Sequence, residues 1–187
     1  MSPLINYPTK KNSLNRKVNN LANKGMALED MINRANQYYK AQDIAFINKR
    51  PTPIKVMKTD GNYKITDAVF LNASTLDYVG VFQGRYLDFE AKETSSKTGL
   101  PLSNFAQHQL EAIEIVKKHK GYSFVLVYLK AFEEIYLLDG QYVIEAAHLN
   151  QKSIPIDQIR EHGVLIKPGY SILLDYLKAV RIAYFEK

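Results

Sequence analysis

Ser74-Thr-Leu-Asp-Tyr-Val-Gly-Val-Phe-Gln-Gly-Arg-Tyr-Leu-Asp-Phe-Glu-Ala-Lys92 consists of two runs rich in β-branched and aromatic residues, broken at Gln83-Gly84. That pattern predicts a β-hairpin. A two-residue loop at Gln83 and Gly84 sets the register. Asp77 then lies opposite Glu90 and Thr75 opposite Lys92, with opposed Cβ atoms about 4.5–5.5 Å apart. Because strand side chains alternate faces, Thr75 and Asp77 share a face with Asp88, Glu90 and Lys92.

Two neighbouring carboxylates repel unless a proton or a cation lies between them. Such hard oxygen donors suit Mg²⁺, which takes one or two carboxylates and completes its shell with water and substrate phosphate. Lys92 adds a positive charge beside that ion. Phosphodiester hydrolysis needs an activated water and neutralisation of the charge developing on the phosphate, and the cluster supplies both. The plain alternative is that Asp77 caps a strand end while Glu90 and Lys92 form an ordinary surface ladder, since Glu-x-Lys is common in half-exposed strands.

The 187 residues fit one domain, and 46% hydrophobic content with 24% charged residues argues for a folded chain. With no cysteine, disulfides, thiolate zinc sites and cysteine nucleophiles are excluded. The four histidines, His108, His119, His148 and His162, lack zinc-ligand spacing, so any metal is expected on oxygen. No apolar run reaches the roughly 18 residues of a membrane span, and the N-terminus lacks a signal-peptide core, which places the expected location in the cytoplasm. The net charge of +6 is uneven: residues 1–24 carry Lys10, Lys11, Arg16, Lys17 and Lys24 and no acidic residue. That stretch is expected to be a disordered basic arm lying along phosphates, with a merely solubilising tail as the alternative.

Residues 25–187 are expected to form a single α/β domain with a mixed central sheet flanked by helices. Gly25 to Lys40 has the rhythm of an amphipathic helix, with Glu29 and Asp30 in its first turns. Asp43 to Lys49 reads as a strand stopped by Pro51-Thr-Pro53. Between about 51 and 72, an Asp60-Gly61 turn joins two β-prone runs in a protruding basic hairpin that carries Lys55, Lys58 and Lys64, with Lys49 and Arg50 at its root. A second helix is expected to open at Leu102-Ser103 with Ser103 as N-cap and to end near His119, with Gly121 as C-cap. Tyr122 to Leu129 reads as a strand buried on both faces, Glu134 to Leu138 as a further strand, and Ser171 to Phe185 as a terminal helix. Gln109 lies on a helix edge that faces either the hairpin cluster or solvent. Glu29 is either a partner for the helix dipole or an extra acid reaching the site.

Asn23-Lys-Gly-Met-Ala-Leu-Glu-Asp30, Lys49-Arg-Pro-Thr-Pro53, Ser74-Thr-Leu-Asp-Tyr78, Gly84-Arg-Tyr-Leu-Asp-Phe-Glu-Ala-Lys-Glu-Thr94, Pro101-Leu with Asn104-Phe, and His108-Gln109 together resemble the RecU Holliday junction resolvases of Gram-positive bacteria and their phages. The likeness runs from about Asn23 to Phe185 and implies a restriction-endonuclease-like core. It implies a homodimeric, Mg²⁺-dependent endonuclease, with Mn²⁺ as a substitute, that nicks four-way DNA junctions symmetrically. The basic hairpin would be the stalk that enters the junction opening. Position by position, the resemblance implies Asp77 and Glu90 as metal ligands, Thr75 and Gln109 as supporting groups of the metal shell, and Lys92 as the group that stabilises phosphate charge and positions the attacking water. Glu29 matches an acid of the wider site, and Lys49 a DNA-binding position at the stalk base. A RecA-type recombinase or a branch-migration helicase is an implied partner, although Lys24 replaces the arginine tied to recombinase modulation. The rival readings are a nuclease acting on linear duplex and a non-catalytic DNA-binding protein on the same scaffold.

Overall fold

The computed structural model describes residues 27–71, 75–169 and 172–186. The proposed basic arm lies outside them, as do the first residues expected in the first helix. Tyr78–Phe82 forms β4 and Arg85–Thr94 forms β5, joined by Gln83 at φ 48° and Gly84 at φ 74°. Two successive positive φ values make a type I′ turn, whose twist matches that of the flanking strands. The register follows from the turn, with Phe82 opposite Arg85 and Tyr78 opposite Phe89. This is the register expected from the sequence.

Alternation along β5 then gives it two unlike faces. Leu87 and Phe89 point one way and Asp88, Glu90 and Lys92 the other. β1 (Ala45–Lys49), β7 (Tyr122–Leu129), β8 (Glu134–Asp139) and β10 (Val164–Leu165) complete a six-stranded sheet in the order β1-β4-β5-β7-β8-β10. Only the β5–β7 pairing is parallel, so the sheet is mixed. One face packs under α1 (Leu28–Ala41) and α5 (Tyr176–Tyr184), where Tyr78, Phe89 and Phe124 form a continuous stack with centroid spacings of 5.0 and 4.6 Å. On the other face the helices cover β7 and β8, where Val125, Val127, Leu129 and Leu138 meet α2 (Gln107–Lys118), α3 (Gly140–His148) and α4 (Ile156–His162). The acidic residues of β5 begin where that helical cover ends. A small ladder of β6 (Gly99–Pro101) with β9 (Ser153–Pro155) ties the crossover to the helical layer.

β2 (Ile54–Thr59) and β3 (Ile65–Phe70) pair only with each other, and every residue of both is exposed. This is the basic hairpin expected between β1 and β4. Its loop is wider than an Asp60-Gly61 turn, because the Asp60 carboxylate accepts from the backbone N–H groups of Asn62 (2.8 Å) and Lys64 (2.9 Å). The N–H of Leu71 donates to Pro53 O (3.0 Å) and closes the base.

Other elements depart from the sequence reading. Leu102–Asn104 is a 3₁₀ turn and α2 begins at Gln107, so Ser103 does not cap it. The Gln109 side chain instead reaches back to the Ala106 N–H (3.1 Å), the outer half of a capping box. At the far end Lys120, at φ 62°, takes the left-handed position. The N–H groups of Lys120 and Gly121 bond to the carbonyls of Lys117 and Val116 in a Schellman closure. Gly121 is required for space, since a Cβ there would meet Val116 Cγ1 at 2.7 Å. The last helix starts at Tyr176, later than its periodicity suggested, and α3, α4 and the short strands were not anticipated. Among the described residues no helix is long and apolar enough to cross a membrane.

Phe89 is fully buried in the middle of the aromatic stack. Replacing it with Ala should lower the unfolding free energy by about 3–5 kcal/mol, from lost transfer energy plus the cavity left behind. Urea unfolding followed by circular dichroism measures this.

Candidate active site

Asp77 stands one residue before β4 pairs with β5, and its place is set by reciprocal bonds. Its N–H donates to Glu90 Oε2 (3.2 Å), and its Oδ2 accepts from the Ala91 N–H (3.2 Å). The two carboxylates are thus held side by side, as the hairpin register predicted. The Glu90 side chain is 2% exposed. Its Oε1 accepts from Lys92 Nζ (2.7 Å) and from Gln109 Nε2 (2.6 Å). Lys92 Nζ also donates to Gln109 Oε1 (3.1 Å) and lies 5.2 Å from the centre of the Phe105 ring. Glu90, Lys92 and Gln109 therefore form a closed triangle of hydrogen bonds, with Gln109 delivered by the first turn of α2.

Burial pushes the Glu90 carboxyl up to about 7, against the lowering effect of its bond to Lys92, and the charge of Asp77 pushes the same way as burial. A buried acid facing a second acid is strained when ionised. Among the described residues no three His, Cys, Asp or Glu side chains are grouped to hold a metal ion; the two acids set side by side here are Asp77 and Glu90. Two hard carboxylates fit an ion that keeps most of its water, as Mg²⁺ does.

The other expected residues are placed as follows. Thr75 is exposed at a bend, and the ladder that would set it opposite Lys92 stops at Tyr78. The Gln109 amide oxygen is occupied by Lys92 Nζ and the Ala106 N–H, so in this structure Gln109 braces Glu90 and Lys92. Glu29, in the first turn of α1, pairs with Lys49 Nζ at 2.5 Å, and that bond raises the pKa of the lysine. Both line a cleft of about 470 Å³ with Arg50, Pro51, Leu76 and Asp77, so Glu29 reaches the edge of the site. Lys55, Lys58 and Lys64 lie on the exposed hairpin. Lys10, Lys11, Arg16, Lys17 and Lys24 fall outside the described residues. Arg50, grouped by sequence with the free basic residues, is turned inward onto Asp88.

Sequence reasoning put Asp88 on the same face as Glu90 but missed its partner. The available signal was an acid at a strand position next to helix-covered β7, which requires a buried cation. Phe105 under Lys92 was also missed, because a helix opening at Leu102-Ser103 would include it, whereas α2 begins at Gln107.

Comparison with known proteins identifies the family. The model of the family RecU, Recombination protein U, matches residues 23–182. A protein named Holliday junction resolvase RecU from Streptococcus sanguinis (strain SK36) is 43% identical over 95% of this chain and 94% of its own length. A protein of the same name from Bacillus cereus (strain B4264) is 40% identical over 91% of this chain and 89% of its own. A solved structure, the Holliday junction resolvase Hjc from Archaeoglobus fulgidus, covers 60% of this chain and 77% of its own at 10% identity and a TM-score of 0.38, a likeness too slight to carry an inference. On the family match and on relatives alike over nearly their full lengths, the chain belongs to the RecU family.

Proposed function

We propose that this protein is a structure-selective endonuclease that resolves four-way DNA junctions by Mg²⁺-dependent hydrolysis of phosphodiester bonds. The observation that carries the reading is the buried Glu90 carboxylate set against Asp77 and bonded to Lys92, in a chain whose relatives are named Holliday junction resolvases. Asp77 and Glu90 are the residues to hold the ion, which when bound neutralises phosphate charge and activates water.

The chain's own groups supply the rest. Lys92 spends two N–H donors on Glu90 and Gln109, and its third is available to a phosphate oxygen or to the attacking water. Gln109 and the Phe105 ring keep the ammonium from swinging away. A water oxygen forms the new bond to phosphorus and gives up a proton to solvent, the bond to the leaving oxygen breaks, and the leaving oxygen takes a proton from solvent. Lys49 and the exposed hairpin lysines provide sequence-independent attraction to the backbone.

Two symmetry-related cuts call for two sites, so the working form is a homodimer. Phe46, Val81 and Tyr86, at 55%, 49% and 44% exposure, form an apolar row across β1, β4 and β5 that offers surface for such a contact. On this reading the protein works in the cytoplasm.

The direct test incubates equal amounts of a synthetic four-way junction and a linear duplex of the same sequence with Mg²⁺ or with EDTA. Paired cuts in the junction alone, and only with Mg²⁺, are expected. Asp77→Asn and Glu90→Gln should each slow cleavage by more than about tenfold, roughly 1.4 kcal/mol of barrier, while junction binding stays the same or tightens. Equal cleavage of duplex and junction would favour the linear-duplex nuclease.

The raised Glu90 pKa also sets a pH dependence. Above about 7 the buried carboxyl is ionised and costs the metal-free fold stability, whereas below it Mg²⁺ must displace a proton. The Mg²⁺ concentration that half-maximally raises the melting temperature should therefore increase as pH falls from about 8 to about 6. In Glu90→Gln that dependence should vanish.

Replacing residues 54–70 with a short Gly-Ser linker removes strands with no buried residue, so thermal stability should change little. Junction affinity and cleavage should fall far more than duplex binding. An unchanged preference for junctions would mean that the hairpin is not the selectivity element.

A further inference from the structure

The reaction above gives no task to Asp88, although its side chain is 3% exposed and shares the acidic face of β5 with Glu90. A carboxylate so placed must be neutralised. Arg50 does this with both arms of its fork, NH1 to Oδ1 at 2.6 Å and NH2 to Oδ2 at 2.8 Å. The Tyr86 hydroxyl completes the arrangement, donating to Asp88 Oδ2 (3.0 Å) and accepting from Arg50 NH2 (3.1 Å).

The same arginine is bound to the segment that carries Asp77. Its NH1 donates to Leu76 O (3.1 Å), and its backbone N–H donates to Asp77 O (2.7 Å). Two successive carbonyls are therefore held by one residue, whose own side chain is anchored to β5. The β4–β5 ladder does not begin until Tyr78, so these bonds fix the backbone where the ladder does not. Arg50 also occupies Asp88, so that Asp77 and Glu90 alone face the metal position. Without it a third carboxylate would stand two residues from Glu90 with the Tyr86 hydroxyl but no cation to neutralise it.

We infer that Arg50 and Asp88 are positioning residues: their ion pair clamps Leu76-Asp77 so that the Asp77 carboxylate meets Glu90, and it withholds the Asp88 charge from the metal. This rests on the metal-dependent reading of the site. It also separates Arg50 from the exposed cations of the hairpin, because an arginine used in this way has no fork left for phosphate.

The test compares wild type with Arg50→Lys, Arg50→Ala and the double variant Arg50→Met with Asp88→Leu. Each is measured for Mg²⁺ binding by calorimetry, for junction affinity in EDTA across a salt series, and for amide hydrogen exchange at Ala91, whose N–H reports the Asp77 carboxylate. Lysine keeps the charge but not the two-armed geometry, so Arg50→Lys should weaken Mg²⁺ binding about tenfold or more and speed exchange at Ala91. Junction affinity should stay within about threefold, with the salt slope unchanged. If Arg50→Ala does not fold, the double variant, which removes both charges of this pair, carries the test and should also bind Mg²⁺ weakly. Wild-type Mg²⁺ binding in Arg50→Lys and the double variant, with reduced junction affinity and a shallower salt slope, would overturn the inference and make Arg50 a phosphate contact. If wild type itself binds no Mg²⁺, the functional reading fails instead, and exchange at Ala91 alone decides the clamp: unchanged exchange in Arg50→Lys rejects it.

Discussion

A slip of one residue between β4 and β5 would send Phe89 into water and Glu90 into the aromatic stack, so the whole molecule depends on that register. The type I′ turn at Gln83-Gly84 sets it, and burial on the α1 and α5 side enforces it. Phe89 between Tyr78 and Phe124 makes any other pairing costly, and the same constraint puts Asp77 beside Glu90. Core and candidate site are therefore two faces of one ladder. Neither can shift alone.

The position of the site follows from where the helical layer stops. β7 is buried on both faces, so its neighbour β5 shows carboxylates only beyond the edge of α2, and Glu90 lies opposite Val125 at that edge. The first turn of α2 then does two jobs with one side chain. Gln109 closes the capping box on Ala106 and holds Glu90 and Lys92. A helix-capping interaction and the bracing of Glu90 and Lys92 share the same amide, which explains why the helix begins after the 3₁₀ turn and not at Ser103.

Electrostatically the site is held short of balance. Asp88 has its own arginine and Glu29 its own lysine, whereas Asp77 and Glu90 share Lys92 alone through Glu90. The unbalanced pair is where a cation lowers the energy most, and it is also where the metal-free fold gives up stability. The lysines of the hairpin, Lys55 and Lys58 on β2 and Lys64 just before β3, lie on a projection whose strands contribute no buried residue, so their charge adds little to the core.

Local rules carried much of this in the sequence itself. Turn chemistry and side-chain alternation placed Asp77, Glu90 and Lys92 together, periodicity placed α1, and the continuous apolar run of Tyr122 to Leu129 marked the doubly buried strand, because each depends on residues near one another in the chain. The motifs at Lys49, Asp77 and Glu90 to Lys92 also carried the family resemblance. What tertiary structure alone decided were contacts across long separations. Arg50 finds Asp88 across 38 residues, Gln109 finds Glu90 across 19, and Glu29 finds Lys49 across 20. Spacing along the chain specifies which face a side chain takes, but which distant charge will neutralise it depends on how sheet, hairpin root and helix pack. For that reason Arg50 resembled a free cation in the sequence and is paired with the buried Asp88 in the fold.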